Sequence, residues 1–144
     1  MSPQIIGYTT GVFDMFHIGH LNLLKRAREQ CDYLIVGVST DELVASYKGK
    51  EPIIPFEQRI TIVEAIKYVD QAVPQFCLDK VDAWKTYQFN VMFHGSDWEN
   101  KPVYQEIVLK LSNVGVKTVF LPYTKNISSS ILREKTNLNS KAPQ

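Results

Sequence analysis

Two histidines stand three residues apart in His17-Ile18-Gly19-His20, and the whole chain holds only 3. At the start of a helix, residues three apart share a face, so both imidazoles would point one way. The first helical turn adds N–H groups without helical partners and a positive potential. Gly19 has no side chain to hold a ligand away from the backbone. Two imidazole donors at such a place make a site suited to phosphate. A metal pair and plain histidine caps are the other two uses open to this segment. A zinc centre needs a third ligand, no Cys or His lies nearby, and His94 is remote in sequence.

The elements that must position these groups follow from apolar patterning. Residues 5–10 are β-branched and apolar and run into Gly11, which reads as a buried strand. A helix is expected over about 17–30, with Leu21, Leu24 and Ala27 at helical spacing. Residues 33–38 (YLIVGV) are nearly all apolar, as a parallel strand covered on both faces would be. Ser39-Thr40-Asp41-Glu42 is a helix start with acids in the first turn. Lys48-Gly49-Lys50-Glu51-Pro52 interrupts regular structure, and Pro55 is expected at the first position of the next helix. Strands at 71–73, 91–93 and 117–121 alternate with helices at 81–87 and 103–111, and a last short helix is expected at 128–135.

Strands alternating with helices imply an α/β fold: a Rossmann-like, doubly wound, parallel five-stranded sheet in a single domain. The domain is expected over 1–136, with a polar tail over 137–144. Such sheets bind ligands beyond the carboxyl ends of their strands. Three segments would meet there: TGVFDMFHIGH, HGSDW and PYTKNISSS. In the third, Ser128-Ser129-Ser130 opens a helix and offers either a second anion site or an ordinary cap.

The 144 residues fit one domain of about 150. Apolar residues make up 44%, enough for one core. A net charge of +1 argues against nucleic acid as the partner. Two cysteines without a CxxC spacing exclude a zinc cage or a disulfide framework, and lone thiols suit a reducing cytosol. No apolar run approaches the ~20 residues of a membrane helix, and MSPQII lacks the features of a secretory signal. A cytoplasmic protein without membrane contact is therefore expected.

Gly11–His20 resembles the GxFDxxHxGH signature of the cytidylyltransferases within the nucleotidylyltransferase superfamily. Tyr68-Val69-Asp70 resembles their RYVD segment, Gly95-Ser96-Asp97-Trp98 their GDDW, and Thr124-Lys125-Asn126-Ile127-Ser128-Ser129-Ser130 their RTEGIST. The short length and the Asp-Trp pair look most like the glycerol 3-phosphate branch. The resemblance implies transfer of CMP from CTP to a phosphorylated alcohol, giving a CDP-alcohol and pyrophosphate. It also implies Mg²⁺ carried with CTP and a homodimer. An ATP-dependent adenylyltransferase of the same fold and a non-catalytic nucleotide-binding domain are the competing readings. A redox Rossmann domain lacks its GxGxxG after the first strand.

By this likeness His17 and His20 would meet the α-phosphate, and Lys48 would meet the α-phosphate and the acceptor phosphate, with Lys50 as rival. Thr10, Gly11, Val12, Phe13, Asp14 and Gly19 would line the nucleotide, joined by Asp97, Thr124, Ile127, Ser128 and Ser129. Asp14 would orient its loop or hold the metal, or serve only as a turn or cap carboxylate. Arg59 would face substrate or stand as an exposed helix charge. Tyr123 occupies the place of a family arginine, and Lys67 replaces that of RYVD. Tyrosine carries no charge at neutral pH. Lys125 turned inward, or Arg133, would supply the missing cation near the acceptor and nucleotide, and Lys125 in solvent is the alternative.

Overall fold

The computed structural model describes residues 4–96 and 101–122. In chain order the elements are β1 (Ile6–Gly11), α1 (Ile18–Glu29), β2 (Tyr33–Ser39), α2 (Asp41–Lys48), α3 (Phe56–Glu64), β3 (Gln71–Gln75), α4 (Lys80–Tyr87), β4 (Val91–Gly95), α5 (Pro102–Asn113) and β5 (Lys117–Leu121). All strand pairs are parallel, in the order β3-β2-β1-β4-β5. The chain winds outward from β1 to β3, crosses back and continues from β4. The switch point therefore falls between β1 and β4.

Alternation along β2 divides the core. Leu34, Val36 and Val38 pack with Leu24 and Ala27 of α1 and Val63 of α3. Ile35 faces the other layer, with Tyr8, Met92 and Leu111, against which Val81 and Trp84 of α4 and Ile107 of α5 pack. Helices thus cover both faces, as a doubly wound sheet requires.

Several expected boundaries move by one or two residues, and two of the shifts have a plain local cause. β3 runs on through Pro74 to Gln75. A proline is tolerated there because β3 is an edge strand. Pro55 is the N-cap of α3, not its first helical residue: its ψ of 152° is extended, and its carbonyl accepts from Gln58 and Arg59. The Tyr68-Val69-Asp70 segment lies at the amino edge of the sheet, opposite the carboxyl ends of the strands. Asp70 accepts from the Leu34 amide at 2.8 Å and pairs with Arg28 at 2.9 Å, docking the start of β3 against β2. The helix expected at 128–135 and the tail at 137–144 lie outside the described residues.

Candidate functional site

β1 ends at Gly11 and the chain reaches α1 through a short, strained turn. Phe13 (φ 55°) and Met15 (φ 48°) both adopt the left-handed conformation. For residues other than glycine this costs about 1–3 kcal/mol each and persists only where the surroundings enforce it. Phe13 is buried and tucks back over Gly11, where an added Cβ would lie 2.9 Å from its ring. Glycine is needed there for close packing.

His17 is the N-cap of α1 and His20 lies one turn on. Their rings stack, with centroids 3.8 Å apart. The Gly19 amide donates to Nδ1 of His17 at 3.0 Å, and the His17 amide donates to Nδ1 of His20 at 3.2 Å. An Nδ1 that accepts leaves the ring proton on Nε2 when the imidazole is neutral. Both rings are held neutral. Burial pulls His20 down to about 3, with the neighbouring His17 adding to the fall and Asp14 opposing it. Burial also lowers His17. The turn therefore presents two oriented Nε2–H donors, and Nε2 of His17 is buried without a protein partner. A buried donor left open is costly unless something else takes its hydrogen bond.

The expected one-face placement of the two histidines thus holds, but Gly19 contributes differently. Its amide, one of the helix-start donors, is already taken by His17. Asp14 is buried, and its carboxylate accepts from the amides of Ile53 (2.9 Å) and Ile54 (2.9 Å). It ties the turn to the segment after Lys50. Among the described residues no group of three or more His, Cys, Asp or Glu is placed to hold a metal ion.

Arg59 departs furthest from expectation. It is neither an exposed charge nor a group turned toward ligand, because its side chain has no exposed surface. Its guanidinium makes four hydrogen bonds, to Ile54, Val12, Ser39 and Asp41. Lys48 ends α2 and Lys50 follows the left-handed cap Gly49 (φ 76°); both lysines are exposed. Asp97, Tyr123, Thr124, Lys125, Ile127, Ser128 and Ser129 lie outside the described residues, as does Arg133.

Lys80 was not foreseen. It opens α4 just beyond β3, is 4% exposed, and donates from Nζ to Thr10 Oγ1 at 3.0 Å at the end of β1. Burial lowers it to about 8. His94, at the end of β4, is also buried, with Nε2 unpartnered; burial and then Lys80 bring it down to about 3. The sequence carried one signal: a lysine in the first turn of a helix opposes the helix dipole, so it needs another reason to be there. A cation and an imidazole thus meet beside the β1–β4 switch point.

The sequence profile of the Cytidylyltransferase-like family matches residues 8–135. The glycerol-3-phosphate cytidylyltransferase of Bacillus subtilis (strain 168) is 35% identical over 132 residues, covering 88% of this chain and 93% of that protein. The ethanolamine-phosphate cytidylyltransferase of Mus musculus is 38% identical over 102 residues, covering 67% of this chain but 25% of that protein. Among solved structures, the lipopolysaccharide core biosynthesis protein of Thermoplasma volcanium GSS1 superposes with a TM-score of 0.71 at 26% identity, covering 87% of this chain and all of that one. The chain belongs to the cytidylyltransferase-like family.

Proposed function

We propose that this cytidylyltransferase moves the cytidylyl group of CTP onto the phosphate of a small phosphorylated alcohol. An acceptor phosphate oxygen attacks the α-phosphorus in line. The bond to the bridging oxygen breaks, and pyrophosphate leaves with that electron pair. No protein nucleophile is needed, so catalysis rests on placement and on stabilising charge. The observation that carries this reading is the stacked histidine pair, whose two Nε2–H groups are oriented by main-chain amides before any ligand arrives. They donate to the α-phosphate oxygens as negative charge grows there. Neutral imidazoles donate without having to give up a proton.

Lys80 holds the acceptor phosphate in this scheme. Enclosing a cation is unfavourable, and a phosphate beside it restores the balance. Lys48 or Lys50 reaches the same phosphates from the open side. Asp97, Thr124, Ile127, Ser128 and Ser129 line the nucleotide, and Lys125 supplies charge in place of the arginine that Tyr123 replaces. Mg²⁺ travels with CTP on its triphosphate oxygens and water, which suits an ion that keeps much of its hydration; the Asp14 carboxylate is occupied by two amides. Family likeness supports a homodimer, and the free thiols Cys31 and Cys77 accord with the cytoplasm. Among the described residues no helix is long and apolar enough to cross a membrane.

The relatives act on glycerol 3-phosphate and on ethanolamine phosphate by name, so both head the acceptor panel. Pyrophosphate release is measured with CTP or ATP against each phosphorylated alcohol. Release with CTP and at least one acceptor is expected. Equal release with ATP, or none with any alcohol, overturns the reading.

A further inference from the structure

The strained histidine turn and the lysine segment are joined by one partly buried set of bonds, centred on the buried Arg59 side chain, that the proposed chemistry does not use. From α3, Arg59 donates through Nε to Ile54 O (2.8 Å), through Nη1 to Val12 O (2.7 Å) and Ser39 O (2.8 Å), and through Nη2 to Asp41 Oδ1 (2.6 Å). Asp14 answers from inside the turn by accepting from the amides of Ile53 and Ile54. The Ile53–Ile54 link is thus gripped twice, by its amides from the turn and by its carbonyl from α3. Asp41 Oδ2 accepts from the Phe56 amide at 3.2 Å, which closes the set at the start of α3.

We infer that Arg59 is a positioning residue: it clamps the histidine turn to the far end of the lysine segment, so that Lys48 and Lys50 are carried at a set distance from His17 and His20. The inference rests on the roles proposed above for those four residues.

Three features support it. Arg59 grips Val12 immediately before left-handed Phe13, and Asp14 lies between Phe13 and left-handed Met15. Strain of this kind survives only when it is over-determined, and these two residues supply the constraint. The lysine segment hangs between two fixed ends, the cap Gly49 on one side and Ile53–Ile54 on the other. The bonds of Arg59 leave a planar fork in several directions, to three carbonyls and one carboxylate, which the point charge of a lysine cannot reproduce. A cation needed only to neutralise Asp41 would have no cause to collect carbonyls from three separate segments.

The test uses Arg59→Lys in the full chain and in a chain that also carries Lys48→Ala and Lys50→Ala. Amide exchange at Ile53 and Ile54 reads the clamp without reference to activity. The expected result is exchange at these two amides at least about tenfold faster, with core amides of β1 and β2 still protected. kcat/KM should fall several-fold, and by no more than the loss of the two lysines themselves. In the lysine-free background the same change should cost less than about twofold, because the residues through which Arg59 acts are gone. An equal loss in both backgrounds means a purely structural role and overturns the inference. Unchanged exchange at Ile53 and Ile54 overturns it too, whatever happens to the proposed reaction. If Arg59→Lys fails to fold, Asp14→Asn weakens the same clamp from the turn and is read against the same outcomes.

Discussion

The histidine turn and the lysine segment are built in opposite ways. In the turn, Phe13 and Asp14 are buried and both imidazoles are oriented by main-chain amides. In the segment, Lys48, Gly49, Lys50 and Glu51 are all exposed. The Lys48 ammonium lies 5.9 Å from the Tyr47 ring, a weak tie at an exposed site. The contrast separates two tasks. Donors that meet charge as it develops are fixed beforehand, and so cost no reorganisation during reaction. Cations that meet the charged ends of substrates sit on an exposed segment whose backbone is held at its ends, and their side chains order on binding. Changes in the turn should therefore act on kcat, and changes in the segment on KM.

The largest effect belongs to the turn. His17→Ala and His20→Ala should each lower kcat by on the order of 10²–10³-fold, with circular dichroism unchanged. A loss confined to KM would erase the distinction between the two regions. Lys80 comes next, as a cation that is buried like the turn but meets substrate like the segment. Lys80→Met should raise the acceptor KM by about 10–100-fold, matching ~1.5–3 kcal/mol for a charged hydrogen bond. Because burial lowers Lys80 to about 8, the acceptor KM in the unsubstituted protein should climb as pH rises through that value. A flat profile to pH 9.5 removes Lys80 from the phosphate. Lys48→Ala and Lys50→Ala should raise KM only several-fold, and the larger effect identifies the lysine that meets phosphate. Added salt should blunt it, as for any solvated ion pair.

Acid should have the smallest effect on turnover. His20 in the fold titrates near about 3, below the ordinary value of 6.5, so it stays neutral and donating at pH 5. kcat should change by less than about twofold through His20 between pH 7 and 5. Stability behaves differently. Between those two values the unfolded chain binds the extra proton, so stability is complete above 6.5 and is lost as pH falls toward 3. A declining Tm over that window, shallower in His20→Ala, is the expected outcome.

Much of this was legible in the sequence. The succession of strands and helices, the burial of the sheet on both faces and the histidine face follow from local patterning, because strand and helix periods depend only on neighbours. Asp14 was legible with loop orientation among its expected roles, Arg59 was legible as a residue but not in its role, and Lys80 was not singled out at all. Arg59 reads as a substrate-facing group or an exposed helix charge because its partners Val12, Ser39 and Asp41 are 47, 20 and 18 positions away. Lys80 reaches Thr10 across 70 residues, and only the pairing of β1 between β2 and β4 brings their ends together. Pro55 slipped by one position because the fixed φ of proline suits both an N-cap and the first helical residue, and ψ alone separates them.

The central claim is that two neutral imidazoles offer Nε2–H to the α-phosphate. Nitrogen-15 resonance of the His17 and His20 rings, followed from pH 7.5 to 5 with and without Mg-CTP, tests it most directly. Protonated Nε2 and bare Nδ1 are expected in both rings at pH 7.5, and in His20 down to pH 5, with the Nε2 signals moving when nucleotide binds. A proton on Nδ1 of either ring at pH 7.5, or a His20 imidazolium already formed at pH 6, would contradict it.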